Sequence, residues 1–219
     1  RSGETAREYA YRMIREQVIS LELKPGEAFN DMEFAAKIGV SRTPVREAVI
    51  QLSEESRIIE IFPQRGMRIA PIDVELVEEA RSLRVLLEKQ IAGMCCEMAT
   101  EEDIKWLQEN VGLQEFYMEN SRPEMVMQLD DEMHHKLFMI CHRELTYGMC
   151  QKLAIHYDRI RSLSVNTVKD NTIIEDHRKI IQFIAEHKKE NAMAQMEKHL
   201  SRWQLNEGKF RQEFPDYFK

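Results

Sequence analysis

The chain has 219 residues, is 43% hydrophobic and 32% charged, and carries a formal net charge of −7. That length holds one large domain or two ordinary ones, and the composition excludes the disordered class. No apolar run nears the roughly 18 residues of a membrane span, and Arg1-Ser2-Gly3-Glu4 has no apolar stretch behind it as a signal peptide would, so a cytoplasmic protein without a membrane partner is expected.

Apolar groups recur at helical spacing over 5–21: Tyr9, Met13, Ile14, Val18 and Leu21. Lys24-Pro25-Gly26 ends that helix. Asn30 and Glu33 form a capping box, which opens a short helix with Phe34, Ala35 and Ile38 and is closed by Gly39. Ser41 or Thr43 caps the next helix, with Pro44 in its first turn and Val45, Ala48, Val49 and Leu52 on its inner face. The pattern then turns extended. Ile58–Phe62 and Met67–Ala70 flank Pro63-Gln64-Arg65-Gly66, which predicts a hairpin. Pro71-Ile72-Asp73 reads as a linker.

Everything beyond reads as helix, with spans near 73–98, 101–119, 123–141, 145–165, 171–188 and 191–211. The expected fold class is mainly α. A winged helix-turn-helix occupies 1–70, a linker 71–73, and an all-α antiparallel bundle of about six helices 74–219. Cys95, Cys96, Cys141 and Cys150 form no C-x-x-C pair and read as reduced, buried thiols.

The order helix, capped helix, Gly turn, capped helix, hairpin is that of a DNA reader. Residues 1–70 hold eleven basic and eleven acidic side chains, so the remainder carries the whole −7. DNA contact must therefore come from a local basic surface rather than the overall field. Arg42, Thr43 and Arg46 lie on the opening turns of the second capped helix, the part that enters a major groove. An arginine there pairs bidentately with guanine or clamps a phosphate. Gln64, Arg65 and Gly66 sit at the hairpin tip, in reach of the minor groove or backbone. The alternative for these charges is a plain solvated face.

Seven histidines occur. Asp130 and His134 are four apart and share a helix face. His177 and His199 flank a predicted break at 189–191, so two antiparallel helices would bring them level. Three imidazoles and a carboxylate suit zinc, nickel, cobalt or manganese. Spacing alone equally fits four residues with no metal role. His135 points about 100° away from His134, and His187 lies near a helix end; both are left out.

The run Gly39-Val40-Ser41-Arg42-Thr43-Pro44-Val45-Arg46-Glu47-Ala48, with Leu23-Lys24-Pro25-Gly26 before it and Pro63-Gln64-Arg65-Gly66 after it, resembles the GntR superfamily of bacterial regulators over residues 8–70. Ser56-Arg57 departs from that family's usual Gly-Leu. Residues 73–210 resemble the ligand domain of its FadR branch, through Leu83-Arg84-Val85-Leu86-Leu87-Glu88, Asp130-x-x-Met133-His134, Glu175-x-His177 and His199-Leu200. The resemblance implies Arg42, Arg46 and Gly66 at DNA, with Thr43 and Arg65 on phosphates. It further implies a metal on Asp130, His134, His177 and His199 that holds a small carboxylate effector, with Arg84 as a candidate effector contact. Arg143, beside His142 where the family tends to have Gly-Asn, is a second candidate. A homodimer on a pseudo-palindromic, double-stranded operator follows from two-fold symmetry. Two alternatives stand beside this ligand-responsive regulator: a metal-dependent enzyme using the His3Asp site, and a DNA-binding regulator with a purely structural metal.

Overall fold

The computed structural model describes residues 3–167 and 172–219. Arg1, Ser2 and position 171, where one helix is predicted to start, lie outside the described residues. The first helix, α1 (Ala6–Ile19), opens on a reciprocal box: Thr5 accepts from the Glu8 N–H, and the Glu8 carboxylate accepts from the Thr5 N–H. In α2 (Asp31–Ile38) the Asn30 side chain accepts from the Met32 and Glu33 N–H groups. The return half of the predicted box differs, because Asn30 Nδ2 donates to Glu33 Oε1 at 2.9 Å. Gly39 closes α2 at φ 74°, a left-handed conformation that suits glycine. Next comes α3 (Arg42–Ser56), with Ser41 at its cap position but no side-chain cap bond. Arg57 follows at φ 55°, so a side-chain-bearing residue takes the left-handed turn into the wing.

The wing is an antiparallel sheet of β1 (Ala28–Phe29), β2 (Ile59–Phe62) and β3 (Gly66–Ile69), in the order β1-β3-β2. Its register pairs Ile59 with Ile69, Phe62 with Gly66 and Ala28 with Arg68. Sequence reading did not include β1, because two residues carry no period. Ile14, Val18, Phe34, Val45, Leu52, Ile58 and Ile69 fill the core between helices and wing.

Among the described residues seven α-helices follow: α4 (Val74–Met98), α5 (Glu101–Glu119), α6 (Pro123–Ile140), α7 (Glu144–Thr167), α8 (Thr172–Ala185), α9 (Lys189–Leu200) and α10 (Trp203–Glu213). A 3₁₀ turn, Pro215–Tyr217, ends the order. The single helix expected over 191–211 is two. Its ladder is diverted at the break: Tyr157 donates its hydroxyl to the Leu200 carbonyl, and Ser201 Oγ donates back to Glu197 O. Ile91, Cys95, Leu107, Met133, Leu137, Phe138, Ile180 and Met196 build the bundle core. Gly93 lets α9 close on α4, since a Cβ there would stand 2.9 Å from Met193 Sδ. All four cysteines are buried and unpaired by disulfides. Among the described residues no helix is long and apolar enough to cross a membrane.

The two halves share α7. Its Ile155 packs into the core of the winged unit. The chain's last residues pin the connecting segment: the Ile72 N–H donates to Tyr217 O at 2.6 Å and the Lys219 N–H to Ile72 O at 3.0 Å. Phe210, Tyr157 and Val77 bury Ile72 beneath that bridge.

Candidate functional site

Asp130 and His134 stand one turn apart on α6, His177 lies on α8, and His199 on the last turn of α9. All four are buried, and their ligating atoms lie within 4.8 Å of one another. His177 Nε2 is 3.3 Å from His199 Nε2 and 3.2 Å from Asp130 Oδ1. His134 Nε2 faces the same point, 3.8 Å from Asp130 Oδ2, and has no hydrogen-bond partner among the described residues. A buried polar atom without a partner is costly. Three imidazole nitrogens and a carboxylate oxygen converging on one point fit a divalent ion, which removes that cost.

Two of the outward nitrogens face a polar group, while that of His199 is buried without a hydrogen-bond partner among the described residues. His177 Nδ1 lies 2.8 Å from Gln114 Oε1, and Gln114 Nε2 donates to Asn110 Oδ1 at 2.7 Å. A proton on Nδ1, donated to that oxygen, leaves the Nε2 lone pair facing the centre. His134 Nδ1 lies 2.5 Å from Glu88 Oε2, whose other oxygen accepts from Arg84 Nε at 2.5 Å. Burial pushes the Glu88 carboxyl up, but Arg84 and His134 outweigh it and hold the group below the usual carboxylate range. Burial lowers His177, and burial with the two neighbouring imidazoles holds His199 well below the ordinary histidine value. Both therefore favour the neutral form that ligates metal. For Asp130, the opposing effect of burial is overcome by Arg161 and the adjacent imidazoles, which hold its carboxyl well below the ordinary value.

A cleft opens beside the cluster, lined by Arg84, Tyr157, Arg161, Arg202 and His199, with Val126, Met127 and Ile173 as apolar surface. Arg84 is thus both the partner of an acid and a wall of the cleft. Arg161 contacts Asp130, Asp131 and Asp158, and Arg202 contacts Asp176. Arg143 lies elsewhere: it is exposed past the end of α6, with Nη1 donating to His142 O at 3.2 Å, outside this cleft. Its helix has already ended, so its side chain projects to solvent. His135 stacks on Tyr147, away from the cluster, and His187 contacts Cys96 O. Sequence reading missed Glu88, Gln114, Arg161 and Arg202. Only Glu88 had a local signal tying it to a site residue named from the sequence, as the i,i+4 partner of Arg84.

In the winged unit Arg42, Thr43 and Arg46 are exposed on the opening turns of α3. Arg42 Nε pairs with Asp31 at 3.0 Å, while among the described residues Arg46 and Arg65 make no ion pair. Gln64 (φ 61°) and Gly66 (φ 99°) form the wing tip on either side of exposed Arg65.

A winged reader joined to a helical bundle with a buried three-histidine, one-aspartate cluster beside a cleft points to a class, the helix-turn-helix transcription regulators with a ligand-binding domain. The chain matches the family described as "Bacterial regulatory proteins, gntR family" over residues 6–69 and the FCD domain over residues 79–202. It belongs to the gntR family, with an FCD domain following the reader. It is 28% identical over 209 residues to the "HTH-type transcriptional repressor RspR" of Escherichia coli K12, covering 95% of this chain and 91% of that one. The "Nta operon transcriptional regulator" of Aminobacter aminovorans is 26% identical over 185 residues, 84% and 86% of the two chains. Among solved structures, E. coli McbR/YncC shares the fold at a TM-score of 0.80 and 17% identity, over 96% of this chain and 99% of that one. A putative GntR regulator from Rhodococcus sp. RHA1 superposes with a TM-score of 0.72 at 16% identity, over 90% and 94%. These relatives are regulators of transcription, which decides against the enzymatic alternative.

Proposed function

We propose that this regulator binds a pseudo-palindromic operator as a cytoplasmic homodimer, and that a small carboxylate effector held on a metal at Asp130, His134, His177 and His199 changes that binding. The observation that carries the reading is the convergence of four buried ligand atoms beside an arginine-lined cleft. Zinc or nickel suits three imidazoles and one carboxylate best, with cobalt and manganese also compatible. The ion would act as a Lewis acid on the effector carboxylate. Arg84, Arg161 and Arg202 would orient the anion, and Val126, Met127 and Ile173 would cover its apolar part. The DNA contacts in this reading are Arg42, Thr43, Arg46, Gln64, Arg65 and Gly66. The reader spans 1–70, the linker 71–73 and the sensing domain 74–219. The test selects an operator from randomised duplexes, then titrates metal and a panel of carboxylates against it. Failure to enrich any sequence at physiological salt sinks the DNA half. If zinc binds and neither zinc itself nor any carboxylate moves operator affinity, the metal is structural.

The outer partners give a graded check. Glu88→Gln and Gln114→Ala each remove a group that orients an imidazole while leaving all four ligands. Zinc affinity is expected to fall about 10–100-fold in each. Calorimetric titration of zinc into the metal-free variants measures it, and unchanged affinity would mean that these contacts do not orient the ligands.

The dimer reading rests on an apolar stripe. Leu145, Met149 and Leu153 recur every four residues on α7 and are 89%, 73% and 46% exposed. Leu86, on the adjacent α4, is 69% exposed. A second copy buries such a stripe symmetrically. Leu145→Glu with Met149→Glu is expected to yield monomers by sedimentation and to cut operator affinity at least about tenfold, since two linked half-sites bind more tightly than one.

A further inference from the structure

The helix α7 touches the candidate metal centre on one side and the DNA reader on the other. Toward the centre, Arg161 Nη2 contacts Asp130 Oδ2 and Asp131 Oδ1. The same guanidinium donates through Nη1 to Asp158 Oδ1 at 2.7 Å. Asp158 is 3% exposed, and its second oxygen lies 3.6 Å from Arg15 Nη2. Arg15 belongs to α1 of the reader and also donates to Gln151 O at 3.1 Å. An unbroken line of charges thus runs from Asp130 through Arg161 and Asp158 to Arg15.

Two further bonds fix the same helix to the reader and its linker. His156 Nε2 lies 2.5 Å from Ser56 O, at the end of α3. Arg159 Nη2 donates to Ala70 O at 2.6 Å, and its side chain is wholly buried. These are anchors to backbone carbonyls. The Arg15–Asp158 pair is different, because its strength depends on how Asp158 shares its charge. Asp158 has two cationic contacts, and one of them, Arg161, is also claimed by Asp130.

We infer that Asp130, Arg161, Asp158 and Arg15 form a relay by which occupation of the metal centre resets the grip of the sensing domain on α1 of the DNA reader. The inference rests on the metal reading above and goes beyond it by naming the coupling residues. Asp130 turns Oδ1 toward His177 and Oδ2 toward Arg161. A divalent cation on the histidine side draws charge from the carboxylate and weakens its hold on Arg161. The guanidinium then leans on Asp131 and Asp158. Asp158, more fully neutralised, releases Arg15, and α1 is held less firmly against α7. The inner pairs, Asp130–Arg161 and Arg161–Asp158, are buried and little screened, while the outer Arg15–Asp158 pair is partly open to solvent and correspondingly softer. Arg161 also lines the effector cleft, so an anion there would pull on the same guanidinium.

The test uses the full chain, zinc alone as the probe, and a duplex selected by the protein from a random pool. Operator affinity is measured on chelator-treated and zinc-saturated protein, and zinc affinity by calorimetry with and without the duplex. In the wild type zinc is expected to change operator Kd at least about fivefold, and the duplex to change zinc affinity by the same factor, since coupling is reciprocal. In Arg15→Gln and in Asp158→Asn both ratios are expected to fall to within about twofold of unity, while both variants still bind zinc. Arg15→Lys keeps the charge and should restore part of the ratio. Two results overturn the relay: a wild type that binds zinc without changing operator affinity, or folded Arg15→Gln and Asp158→Asn variants that keep the wild-type ratio. A wild type that binds no zinc overturns the metal reading, and the relay falls with it.

Discussion

His177→Ala is expected to abolish tight metal binding and the thermal stabilisation that comes with it. His177 is wholly buried, contacts both Asp130 and His199, and reaches Gln114 through its other nitrogen. Loss of an outer partner costs about 10–100-fold in affinity, so loss of a ligand should cost more, about 100-fold at the least. Zinc at about 100 times its Kd stabilises a protein by about 2.7 kcal/mol, and at the same concentration a variant weakened 100-fold keeps only about 0.4 kcal/mol. The wild type should therefore show a clear rise in Tm with zinc, and His177→Ala almost none. Asp130→Ala should behave alike in affinity but not in the metal-free state. It leaves Arg161 with Asp131 and Asp158, whereas His177→Ala opens a cavity and strands Gln114 Oε1. Circular dichroism of the metal-free variants separates loss of metal from loss of fold. If His177→Ala shows a wild-type zinc isotherm, the cluster is not the metal site.

The winged unit was legible because its signals are local. Asn30, Gly39 and Pro44 punctuate the chain within a few residues of the elements they bound, and the hairpin is marked by its own turn. What escaped was non-local. Strand β1 exists only because residues 28–29 meet β3 some forty positions on. The break after α9 is enforced by Tyr157, on another helix, taking the Leu200 carbonyl. No periodicity in residues 191–211 encodes that contact.

The metal cluster shows the same division. Asp130 and His134 are a helical i,i+4 pair, but His177 and His199 meet them only through the packing of α8 and α9 on α6, which spacing leaves open. The family resemblance weighted that possibility, and the structure brings the four atoms together. Arg161 had no comparable cue. Its i,i+3 relation to Asp158 is readable, but its contact with Asp130 spans 31 positions. Arg143 illustrates the converse: its departure from the family's Gly-Asn suggested an anion contact or plain exposure, and the left-handed turn at His142 (φ 54°) carries the chain out to solvent.

Arg46→Ala is expected to weaken operator binding more than Arg42→Ala, although both lie on the same helical turns. Arg42 is already shared with Asp31, a buried carboxylate at 3% exposure, so part of its charge is neutralised before DNA arrives. Arg46 is exposed and makes no ion pair among the described residues, so its full charge is available. A bidentate base contact is worth about 1–3 kcal/mol, and the proposed dimer would present each residue twice. Arg46→Ala should thus cost about 2–6 kcal/mol on a two-half-site operator. The salt dependence distinguishes the roles. If Arg46 reads a base, its loss relaxes preference at one position of each half-site, with discrimination lost there alone. If it clamps a phosphate, affinity falls evenly over sequences and the salt slope drops by about one per contact. Asp31→Asn supplies the complementary measurement. It frees Arg42 without removing it, so non-specific affinity should rise and its salt slope steepen. An Arg46→Ala protein that binds its selected operator with wild-type affinity would take α3 out of the groove.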